Sequence, residues 1–230
     1  MQSSFKILFD QGKPKDPSLI RNELLVFSET YSEVTKIIID RSLILDEKSF
    51  RQNVATLMPS FGMTRRGVFH GMRVEKDIAI DSDCHVLDVC WTQFGNEFLD
   101  LKEKISKNAS YRSRAILELP NNIFSVTADL FDKLEWTKID DSSIGRVGAS
   151  KILFSILPEI ALPVDNSEWD SVFSTHYYAK ILQLMIDEIR LWENKSSLHL
   201  ETLASNSPAT LPSVYNVMAM AARPKPKRNS

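Results

Sequence analysis

Gly145 and Gly148 stand just ahead of an apolar run, and Asp165 follows Pro163 shortly before a second run of helical periodicity. Glycines let a chain reverse without steric cost. A helix opening after them presents unpaired backbone N–H groups and the positive end of its dipole, which suit a phosphate. Arg146 and Lys151 add positive charge to the same contact, and Ser150 lies between them. Asp165 falls at or beside the N-cap of the following helix, where backbone donors hold a carboxylate ionised. The chemistry implied is a grip on a phosphate backbone by Gly145, Arg146, Gly148, Ser150 and Lys151. Asp165 is the one candidate catalytic acid. The same residues admit a plainer assignment. The glycines make a turn, Ile152, Leu153, Ile156 and Leu157 fill a core, and Asp165 or Ser167 caps a helix.

Two other clusters carry reactive residue types. Asp81, Asp83, Cys84 and His85, with Asp88 and Cys90 close by, are of the kinds that ligate metals. Their spacing fits no closed zinc pattern, and His85 lacks a second histidine three or four residues away. An Asp83 cap opening a helix accounts for them, so neither a metal nor another cofactor is expected. Between Thr64 and Arg73, the cations Arg65, Arg66 and Arg73 interleave with Gly67, Phe69, His70 and Gly71. That pattern suits either further contacts to a nucleic-acid backbone or a solvated loop. No Ser-His-Asp order, P-loop or dinucleotide fingerprint is present.

Val147-Gly148, the helix after it, and Leu162-Pro163-Val164-Asp165 with Trp169 resemble the helix–hairpin–helix DNA glycosylases. The similarity covers residues 144–173. It implies a two-lobed helical fold whose hairpin grips DNA phosphates. Asp165 would then stabilise positive charge on the sugar as a flipped base departs. In that family the hairpin glycines enclose one residue, whereas Gly145 and Gly148 enclose two. Ser150 stands where the bifunctional members carry a nucleophilic lysine, and the interval from there to Asp165 is shorter. Lys151, one position on, is expected about 100° further round the helix and facing elsewhere. The resemblance therefore implies DNA binding, as in DNA repair, ahead of catalysis. The alternative is a non-catalytic helical interaction or regulatory protein.

The elements around these residues are expected to be mainly helical. Only seven glycines occur in 230 residues, too few for the tight turns of a β-sandwich or barrel. Asp16 and Pro17 open a helical pattern, a second carries Val34, Ile37 and Ile38, and a third runs from Asp46 to Pro59. Residues 60–80 suggest a loop or small β-hairpin. Periodicity returns at about Ser82, and a single long helix is expected from Ser167 to Glu193. The organisation read from this is an arm (1–15), a helical domain (16–194) and a tail (195–230) that is mobile or loosely docked. The domain is either one body or two lobes, 16–108 and 109–194. A net charge of −2 gives no global attraction to nucleic acid, so DNA must be met by a local patch. No apolar run approaches the ~18 residues that span a bilayer, so a cytoplasmic protein without membrane contact is expected.

Overall fold

Polar caps and prolines divide the chain into the elements of a mainly α-helical fold, seen in a computed structural model. It describes residues 5–26, 28–80, 85–204 and 209–224, with backbone alone at 28–32. A short antiparallel ribbon, β1 (Phe9–Asp10) and β2 (Lys13–Pro14), leads into α1 (Pro17–Val26). Asp16 opens α1 as expected, its carboxylate accepting the Ser18 N–H at 2.8 Å. Next come α2 (Ser28–Arg41) and α3 (Glu47–Ser60). Asp46 and Ser49 form a reciprocal capping box at the start of α3. Two short 3₁₀ turns, Met63–Arg65 and Gly67–Phe69, then precede the hairpin β3 (Arg73–Glu75) and β4 (Ile78–Ile80). Lys76 and Asp77, both at positive φ, make its two-residue turn.

The helix α4 (Val86–Asn108) and the single turn α5 (Ala115–Glu118) come next. They lead into α6 (Asn121–Trp136), the hairpin β5 (Lys138–Ile139) with β6 (Ser142–Ser143), and α7 (Gly145–Ile156). The expected long helix from 167 to 193 is instead two pieces. A π-helical stretch, Glu168–Phe173, stops at Ser174 (φ 52°), and α8 (Tyr178–Ser196) starts afterwards. The 3.6-residue pattern survives the break because Trp169, Val172 and Phe173 face the same core as Tyr178 and Ile181. The C-terminal stretch forms α9 (Leu211–Ala221), capped by Thr210 and Ser213, with residues 211–219 buried.

α7 lies at the centre. It packs against α2, α3 and α6, and every residue from Gly148 to Ile156 is buried. A helix apolar on all sides belongs in the interior, and Ile152, Leu153, Phe154 and Ile156 make it so. One contiguous hydrophobic cluster reaches from Ile7 to Ala219. Among the described residues no helix is long and apolar enough to cross a membrane.

Candidate functional site

The two glycines of the motif do separate jobs and do not share a turn. The reversal between α6 and α7 is the β5–β6 hairpin, where Asp140 takes a left-handed conformation (φ 51°), which aspartate tolerates. The Ile144 N–H then bonds the Thr137 carbonyl at 3.1 Å. Gly145 follows at φ +72° and lets the chain swing into α7. Gly148 already lies inside the helix, where a Cβ would stand 2.7 Å from Phe69 Cε2 and 2.9 Å from Ile144 Cγ2. Its role is close approach to the 3₁₀ turn Gly67–Phe69, which also packs against β6.

Asp165 is reached by an extended segment pinned from three sides. The Tyr178 hydroxyl receives the Leu162 N–H at 2.8 Å and donates to the Leu162 carbonyl at 3.0 Å. Its ring stacks on Phe131 with centroids 4.3 Å apart. Asn216 of α9 donates to the Pro163 carbonyl at 2.6 Å. The Ser150 hydroxyl accepts the Val164 N–H at 3.0 Å. The segment thus lies along α7 across both Ser150 and Lys151.

This crossing corrects the expectation that Lys151 faces away. Its ammonium donates to Asp165 Oδ1 and sits 3.9 Å from the centre of the Phe61 ring. The long stem lets a residue one position past Ser150 reach the same strand-like segment. Lys151 is fully buried; burial pushes its ammonium below the ordinary lysine range, and Asp165 pulls it partly back. The other oxygen of Asp165 accepts from Arg223 Nη2 at 2.8 Å.

The helix-capping work falls to Glu168. Its Oε2 accepts the Asp165 N–H at 2.7 Å, while the Asp165 carbonyl takes the Glu168 and Trp169 N–H groups. The Asp165 side chain caps nothing. Glu168 is buried, and that burial pushes its carboxyl up to about 7, although Arg223 Nη2 lies 3.1 Å from Oε1. The centre thus holds two carboxylates and two cations, with only the Asp165 and Arg223 side chains partly open.

Arg146 points the other way, towards the surface. It donates to His176 Nδ1 at 2.5 Å and to Asp170 at 3.1 Å, with its guanidinium 5.7 Å from the Trp169 ring centre. Trp136 and Tyr177, at the neighbouring ends of α6 and α8, are strongly exposed. Of the expected phosphate-contact residues, then, Gly145 and Arg146 reach the surface, whereas Gly148, Ser150 and Lys151 are buried. α7 has no side-chain cap at its N-terminus. Arg65 ends the turn Met63–Arg65, and Arg66 directly precedes the turn Gly67–Phe69, which packs against β6; both arginines are exposed, without a partner among the described residues. Arg73 is exposed on β3 and pairs with Glu75 at 3.5 Å.

In the other cluster, Asp81, Asp83 and Cys84 lie outside the described residues. His85 is exposed and 3.4 Å from Asp88, which is also paired with Arg51, while Cys90 is buried. Among the described residues no histidine, cysteine and carboxylate group could hold a metal ion.

Glu168 and Arg223 were missed by sequence reasoning. Asp165-x-x-Glu168 carries a capping-box signal. Nothing local announces Arg223, which lies 58 positions from Asp165. Comparison with family models, curated proteins and solved structures gives no match.

Proposed function

We propose that the chain binds DNA through the uncapped N-terminus of α7 and the turns beside it, as a binding protein without base-excision turnover. The observation that carries this reading is the placement of Arg65 and Arg66. They are exposed and unpaired among the described residues. Arg65 is at the end of the turn Met63–Arg65, and Arg66 directly precedes the turn Gly67–Phe69, which packs against β6, the strand leading into a helix without a side-chain cap. Free N–H groups and the helix dipole favour a phosphate, and two guanidiniums beside them add charge and fork geometry. Trp136 and Tyr177 add exposed aromatic surface nearby. Asp165 serves the scaffold in this reading, because Lys151 and Arg223 already occupy both of its oxygens.

The test is a titration of duplex DNA at several salt concentrations. Measurable low-salt affinity is expected, with the double variant Arg65→Ala, Arg66→Ala lowering the log–log salt slope by about 2. Stability should be unchanged, since both side chains are exposed. A salt-independent signal, or none at low salt, rules the reading out.

A further inference from the structure

A cavity of about 250 Å³ lies between the N-terminal arm, the π-helical stretch, α8 and α9. It shares no residue with the surface assigned to DNA. Its lining is divided by charge. Glu188, almost wholly buried, and Tyr215, wholly buried, belong to one part. Val172 and Phe173, with Ile7 and Leu184, supply apolar wall, and the exposed Lys6 and Lys180 bring positive charge.

The buried carboxylate is short of countercharge. Glu188 Oε1 accepts the Ile7 and Leu8 N–H groups at 2.9 and 2.7 Å, and Oε2 accepts the Tyr215 hydroxyl at 2.7 Å. All three donors are neutral. Lys15 acts on Glu188 only at longer range, and burial raises its carboxyl above the usual range. A carboxylate oxygen with one donor has a lone pair to spare, as does the Tyr215 oxygen. A buried anion without a cation is costly, and a ligand ammonium would relieve that cost.

The backbone beside the cavity is also unusual. Val172 and Phe173 belong to the π-helical stretch, and the next lining residue, Ser174, is left-handed. Such departures persist where surrounding structure holds them, and they concentrate at ligand sites. Here they place two apolar side chains against the same space as the carboxylate and the lysines.

We infer that this cavity binds a small zwitterion of the α-amino-acid class with an apolar side chain. Its ammonium meets Glu188 and the Tyr215 oxygen, its carboxylate meets Lys6 and Lys180, and its side chain lies on Val172 and Phe173.

Calorimetry on the full chain tests this with three probes: L-leucine, 3-methylbutylamine and 4-methylpentanoate. Leucine should bind about 10-fold or more tighter than either fragment, because each fragment lacks one charge-assisted contact. The double variant Lys6→Met, Lys180→Met, altered only at exposed residues, should bring leucine down to the affinity of the amine. Glu188→Gln should bring it down to that of the acid, with circular dichroism used to check that the arm-anchoring role has not been lost. No leucine binding, equal affinity for all three probes, or full leucine affinity in the double-lysine variant overturns the inference. No DNA enters the experiment, so its outcome is separate from that of the DNA titration.

Discussion

Two buried charge clusters tie this fold together, and they are built on opposite plans. In the first, Glu159 receives Lys102 from α4 and Arg112 from the turn before α5. Arg112 also donates to the Ile39 carbonyl and the Ser42 hydroxyl at the end of α2. One almost fully buried carboxylate holds two cations, which reach into three separate parts of the chain. In the second, Asp165 and Glu168 face Lys151 and Arg223. The charges balance when all four are ionised, Asp165 is partly open, and Glu168 is pushed up to about 7. The first cluster is a clamp of one buried carboxylate on two cations, with burial pushing the Lys102 ammonium below the ordinary lysine range. The second can change its charge in the neutral range, so the two should respond differently to substitution and to pH.

The sharpest way to separate them is to remove the acid of each. Glu159→Gln leaves Lys102 and Arg112 without their carboxylate inside the core, and urea unfolding should show a loss of about 3–5 kcal/mol. A loss below that of the corresponding Asp165 variant would collapse the distinction.

Next in size is a pH effect. The Glu168 carboxyl is raised from 4.5 to about 7 in the folded chain, so the folded state holds a proton that the unfolded state releases. This residue's contribution to stability is therefore fully present below 4.5 and is lost as pH rises towards 7. Linkage puts the swing on the order of 3 kcal/mol. Glu168→Gln keeps an acceptor for the Asp165 N–H and removes the proton. The difference in unfolding free energy between variant and parent should grow in the variant's favour from pH 4.5 to 8. A difference that is flat with pH would mean that Glu168 stays ionised. Asp165→Asn should be the mildest of the three, at about 2 kcal/mol by the same urea method. Lys151 can respond by giving up its proton, and Glu168 remains to hold Arg223.

What could be read in advance depended on whether the signal was local. Asp16 before Pro17, the capping pair Asp46 and Ser49, and the proline break before Asp165 are written in adjacent residues, and each element starts where those residues place it. The β5–β6 hairpin escaped notice because its turn uses Asp140 and Asp141, with no Asn-Gly or Gly pair. The split after Phe173 escaped because periodicity reports which face is apolar and says little about a π turn that keeps the same face inward. By residue type alone, Lys151 suits a phosphate. Ile152, Leu153 and Phe154 beside it already argued for burial, since a helix apolar on all sides leaves a lysine no solvent to reach. Arg223 and the arm residues Ile7 and Leu8 act across the length of the chain, where sequence spacing carries no information.

That last feature bears on how the chain becomes folded. Ile7 and Leu8 bond a residue 181 and 180 positions later, and Tyr215 holds the same carboxylate from the other side. During synthesis the apolar segment Ile7–Phe9 emerges early, and its Ile7 and Leu8 N–H groups have no Glu188 to bond until α8 has left the ribosome. Closure over such separations is slow, and exposed apolar segments invite association in the meantime. Nascent chains halted before Tyr215 should remain protease-sensitive at the arm and bind chaperones, with protection arriving in one step once α9 is released.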